Sequence, residues 1–85
     1  MKVIYKYPLE LTDSQTVKLP ISSKILTCQI QRNPICLWVE LEPDKPKRDY
    51  IIEIFGTGME IDETPRRYIN SIFQKEFVWH VYERI

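Results

Sequence analysis

The stretch KILTCQIQRNPICLWVELEP, residues 24–43, decides the fold class. In its first half Leu26, Cys28 and Ile30 alternate with Thr27, Gln29 and Gln31. In its second half Ile35, Leu37, Val39 and Leu41 alternate with Cys36, Trp38, Glu40 and Glu42. Period-two alternation marks strands with one face buried and one face wet. Asn33-Pro34 between the halves is a turn pair, so the segment predicts a β-hairpin. An even-length loop sets Ile30 opposite Leu37, Cys28 opposite Val39 and Leu26 opposite Leu41, a consistent apolar face. The other face then pairs Gln29 with Trp38 and Thr27 with Glu40. A three-residue loop at Asn33-Pro34-Ile35 would shift this pairing by one. A tryptophan beside a glutamine on a polar sheet face is out of place as core, and it marks Trp38 as a contact residue for something else.

Outward from the hairpin, residues 2–8 alternate as a strand, with Pro8 at its edge or end, where a missing donor is tolerated. Thr12-Asp13-Ser14 is a turn cluster, followed by a short strand from Gln15 to Leu19 that Pro20 stops. Residues 43–49 form a charged, proline-punctuated loop. Tyr50 to Phe55 is a further strand, with Ile52 and Ile54 on one side and Ile51, Glu53 and Phe55 on the other. It ends in Gly56-Thr57-Gly58. Residues 66–73 fit a two-turn helix, because Pro65 suits a first helical position. Their β-branched and aromatic content, running on into Phe77-Val78-Trp79-His80-Val81-Tyr82, predicts a closing hairpin instead. Six or seven short strands in one domain, residues 1–85, give a mainly β fold: a small antiparallel sandwich or barrel.

A chain of 85 residues buries only about 60% of its unfolded surface. With 12% aromatics, association into a homo-oligomer is the expected way to cover the surplus. The 12 basic and 12 acidic residues cancel, which argues against a DNA or RNA polymer as partner, since counterion displacement needs a basic stripe. A small anionic ligand is still compatible with local charges. Cys28 and Cys36 fall on opposite strand faces, poor geometry for a disulfide and suited to a reducing cytoplasm. Nothing reads as a signal peptide, and no apolar run approaches the roughly 18 residues of a membrane span. A soluble intracellular protein is expected.

Catalysis has little to rest on. His80 is the one histidine, set between Trp79 and Val81, where a satisfied structural role is the commoner outcome. No serine or cysteine sits in a nucleophile signature, and no Cys/His spacing matches a metal site. A non-enzyme without cofactor is expected. Gly56-Thr57-Gly58 is ordinarily a strand-ending turn, though successive amides in such a turn also make an anion site. Arg66 and Arg67 follow the acidic Glu60, Asp62 and Glu63, and a guanidinium fork is a good phosphate clamp.

The segments KYPLELTDSQTVKLP, KILTCQIQ, CLWVELEP, FGTG, YINSIFQ and VWHVYE together resemble a family of short bacteriophage and prophage proteins filed as a domain of unknown function. The resemblance spans almost the whole chain; one departure is Met59, where a histidine often follows the glycine turn. The chain is also similar to viral sponge proteins that defeat CBASS, the bacterial cyclic-oligonucleotide immune system. That similarity implies a non-catalytic homotetramer in the host bacterial cytoplasm. It would sequester a cyclic di- or trinucleotide such as 3′3′-cyclic GMP-AMP between protomers. On this reading Trp38 or Tyr68 stacks on a base, and Gln29 and Gln31 read base edges. Gly56, Thr57 and Gly58, helped by Arg66 or Arg67, hold the phosphates. The alternative is an inhibitor or accessory module that binds a host protein through an exposed sheet face.

Overall fold

The computed structural model describes residues 1–32 and 34–85. Seven strands account for most of them: β1 (Val3–Leu9), β2 (Ser14–Pro20), β3 (Lys24–Ile30), β4 (Ile35–Leu41), β5 (Lys47–Gly56), β6 (Arg66–Gln74) and β7 (Phe77–Arg84). All pair antiparallel, in a three-stranded sheet of order β1-β4-β3 and a four-stranded sheet of order β2-β5-β7-β6. No helix occurs among the described residues, so residues 66–84 form the expected closing hairpin and not a helix. Nor is any helix present that would be long and apolar enough to cross a membrane.

The sheets bury the faces that alternation assigns. Leu37, Val39 and Leu41 of β4 pack with Ile52 and Ile54 of β5, Val81 of β7 and Leu19 of β2. Cys28 points inward with them while Cys36 lies on the opposite face of its sheet; both thiols are free and buried. Burial, with a smaller contribution from Cys36, pushes the Cys28 thiol up to about 12, so it stays protonated and inert at neutral pH.

The β3–β4 register differs from the expected one. Ile30 pairs with Ile35, Cys28 with Leu37 and Gln29 with Cys36, a slip of two residues. An even slip keeps every side chain on its expected face. The turn assigned to Asn33-Pro34 includes Asn33, which lies outside the described residues. A bulge at Leu26 then changes the parity: Ile25 pairs with Val39 and is buried, while Leu26 is turned out and 40% exposed.

A second bulge, at Ile69, interrupts β6. Strands β3 and β6 are the sheet edges that lie beside each other, and Asn70 joins them. Its Nδ2 donates to the Cys28 carbonyl at 2.7 Å, and its Oδ1 accepts from the Cys28 amide at 2.8 Å. One side-chain amide thus takes up both the amide and the carbonyl of an edge-strand residue, which blunts the edge as an aggregation template.

Candidate functional site

The outer face of the four-stranded sheet carries a connected set of polar side chains. Parity along β7 sends Trp79, Val81 and Glu83 inward and His80 and Tyr82 outward. In a regular β6, Tyr68 and Ser71 would face opposite ways. The Ile69 bulge turns both to the outside, opposite Tyr82 and His80 respectively. A continuous chain results. Thr57 Oγ1 lies 2.8 Å from His80 Nε2, His80 Nδ1 lies 2.8 Å from Ser71 Oγ, and Ser71 Oγ lies 2.6 Å from the Tyr68 hydroxyl. Hydroxyls both donate and accept, so they satisfy either tautomer of the imidazole.

Aromatic rings frame this chain. Tyr82 stands edge-to-face between Tyr68, at 5.4 Å, and Phe55, at 5.7 Å. Tyr68 is 53% exposed, so its ring is available as a stacking or contact surface. Beyond Phe55 lies an ion network. Arg66 Nε donates to Glu53 at 2.6 Å, Arg66 Nη2 to Asp62 at 2.8 Å, and Arg84 Nη2 to the second Glu53 oxygen at 3.1 Å. Arg66 Nη1 is bound by the carbonyls of Asp62 and Thr64. Burial alone would raise the Glu53 carboxyl, but hydrogen bonds from Arg66 and Arg84 outweigh it and hold the group below its usual range. Asp62 is held well below its own by the Thr64 amide and hydroxyl and by Arg66.

The expected site residues divide between several places. Thr57, Tyr68 and Arg66 share the outer face just described. Gly56 and Gly58 are at its rim: the Met59 amide donates to the Gly56 carbonyl at 3.1 Å, closing a turn, and Gly58 has φ +94°. The Gly56 amide already points to the Met59 sulfur at 3.0 Å, and the Thr57 hydroxyl is turned to His80, so this segment is a strand-ending turn rather than an open anion cradle. All three nitrogens of Arg66 are engaged within the chain. Arg67, one residue on, points to the other side of the sheet and pairs with Glu83.

Trp38 lies on the outer face of the three-stranded sheet. It is half-buried between its cross-strand neighbours Lys6 and Thr27, and not opposite Gln29 as the expected register had it. Gln29 bonds to Thr27 Oγ1 at 3.0 Å, and Gln31 accepts from Lys6 Nζ. Gln29 also lies at a depression of about 340 Å³ on the β3–β6 seam, with Ile30, Ser71, Ile72 and Phe73. Within one copy of the chain, Trp38 and Tyr68 therefore serve different faces. His80 and Ser71 were not among the expected contact residues. Outward parity on β7 signals His80, whereas Ser71 needs the bulge, which no residue pattern announces.

No group of three or more metal-ligating side chains gathers among the described residues. A family profile described as a domain of unknown function, DUF7352, matches residues 1–85. The chain belongs to that family. No curated protein and no solved structure matches it.

Proposed function

We propose that the DUF7352 chain is a non-catalytic binding module whose working surface is the outer face of the four-stranded sheet, and that it holds a protein partner there. The observation that carries this is the pairing of aromatic ring surface, exposed at Tyr68, with charges that neutralise one another. Tyr68, Tyr82 and Phe55 present ring surface, while Arg66, Arg84, Glu53 and Asp62 neutralise one another beside them. Protein interfaces favour that composition: aromatic and arginine anchors, with few unpaired charges at the centre. The Thr57–His80–Ser71–Tyr68 chain fits the same role, because it fixes the Tyr68 ring at no cost in unsatisfied polar groups. It does not resemble a hydrolytic relay, since a serine, not a carboxylate, faces His80 Nδ1.

Sequestration of a cyclic nucleotide by a phage-encoded homotetramer in the host cytoplasm is the second reading. It is favoured by the same half-exposed Tyr68 beside groups that both donate and accept, as base recognition requires. The commitment of Arg66 to Glu53 and Asp62 counts against it at this face, because phosphates would have to displace carboxylates.

Thermal melting with and without a panel of cyclic di- and trinucleotides, on protein of known oligomeric state, separates the two. The protein-partner reading expects no shift in Tm with nucleotide. It also expects recovery of a specific host protein from lysate that Tyr68→Ala loses and Trp38→Ala keeps. A Tm rise with one nucleotide that returns intact after heating overturns it in favour of sequestration.

A further inference from the structure

At the opposite end of the four-stranded sheet from the glycine turn, a depression of about 400 Å³ opens between the β2–β3 turn and the last residues of the chain. Ser22, Ser23, Arg48, Tyr50, Arg67 and Glu83 are among the residues that line it. The Arg48 guanidinium carbon sits 3.6 Å above the centre of the Tyr50 ring. That ring is buried, and its hydroxyl is pinned to the turn: it donates to the Pro20 carbonyl at 3.1 Å and accepts from the Ser23 amide at 3.2 Å. Arg48 is therefore laid flat on a rigid floor.

Its fork is largely unspent. Arg48 Nη1 reaches the Asp49 carbonyl at 3.1 Å, and among the described residues it has no ion-pair partner; the Asp49 carboxylate goes to Lys18 instead, at 2.7 Å. Arg67 binds Glu83 through Nη2 alone and is half-exposed. Ser22 adds a hydroxyl that has no hydrogen-bond partner among the described residues, on a backbone held at φ +63°. Stacked on an aromatic, pre-oriented and uncompensated, Arg48 presents the planar donors that match an oxyanion, with Arg67 and Ser22 lining the same depression.

We infer that this depression is a binding site for a phosphoryl group, held by Arg48 and Arg67 with Ser22 as an additional donor. The site is independent of the sheet face proposed above as the partner surface. Arg84 adds little to it, because its guanidinium is turned to Glu53 on the other side of the sheet.

The test is an amide NMR titration of the full chain with inorganic phosphate, against acetate at matched ionic strength. Saturable shifts concentrated at Ser22, Ser23, Arg48, Tyr50 and Arg67 are expected with phosphate. Arg48→Gln should weaken binding about tenfold or more, the loss carried by one charge-assisted hydrogen bond. Ser22→Gly removes the hydroxyl, suits the positive φ, and should weaken binding several-fold in a chain that keeps its Tm. Shifts that fail to saturate, that acetate reproduces, or that persist unchanged in both variants overturn the assignment.

Discussion

On the outer face of the three-stranded sheet, polar side chains meet in small groups: Lys2 reaches Glu40 at 3.7 Å, and Gln29 reaches Thr27, whose hydroxyl lies 3.4 Å from Asn70 Oδ1. On the outer face of the four-stranded sheet they are linked, with Glu53 shared by Arg66 and Arg84 and His80 shared by Thr57 and Ser71. The solvent exposure differs accordingly. The Lys2 and Glu40 side chains are 67% and 36% exposed, those of Arg66 and Glu53 6% and 7%. An exposed pair gains little over hydration and is screened by salt, whereas a desolvated one strands a charge when its partner is removed. Two faces built on the same alternation therefore respond differently to substitution.

Glu53→Ala should have the largest effect. It leaves Arg66 and Arg84 facing a void, and about 3 kcal/mol is expected, the lower end for a broken buried pair because Arg66 keeps Asp62. Such a loss lowers Tm by roughly 15 °C in a domain of this size. Glu40→Ala on the other face should stay within about 0.5 kcal/mol. Denaturant unfolding of both variants checks the contrast, and equal losses would erase it.

The same carboxylate sets an acid limb. Its folded-state pKa lies below the unfolded value, so the stability it contributes is present above the ordinary glutamate range, about 4.3, and is lost as pH falls toward the depressed folded value. Asp62 acts in the same direction. Glu53→Gln should therefore flatten the dependence of Tm on pH below about pH 5. A steep limb surviving in Glu53→Gln would place the acid sensitivity elsewhere.

Where the two sheets meet, Asn70→Ala removes both bonds to the Cys28 backbone and leaves an amide and a carbonyl on a shielded edge. About 2 kcal/mol is expected, near 1 for each lost bond. Hydrogen exchange at the Cys28 amide should rise at the same time. Fast exchange at Cys28 in the unaltered protein would show that the seam opens by itself.

The sequence made the fold class readable because alternation is a local property: Leu37, Val39 and Leu41, or Ile52 and Ile54, need no knowledge of their neighbours to define an inner face. The proposed partner face was legible only in part. Arg66 and Arg67 look equivalent as a basic pair, yet strand parity sends one to the Glu53 network and the other to Glu83. Tyr68 and Ser71 look incompatible by that parity until Ile69 bulges. The bulges on β3 and β6 lie on the two edges that meet through Asn70, a juxtaposition that is tertiary information. Neither Ile25-Leu26 nor Ile69-Asn70 carries a glycine or other mark of irregularity.

Leu26 gives the finest test of that point, and the smallest effect. Regular alternation places Leu26 in the core opposite Leu41, where a polar replacement would cost several kcal/mol. The bulge places it outside, 40% exposed, and gives its core position to Ile25, which is 6% exposed. Leu26→Ser should then change stability by no more than about 0.5 kcal/mol, as surface substitutions do. A large loss would mean that β3 runs unbulged in solution. Because β3 meets β6 through Asn70, an unbulged strand would also move the Cys28 amide away from its partner. Leu26→Ser in the Asn70→Ala background distinguishes the two states: additive effects support the bulge, and strong coupling contradicts it.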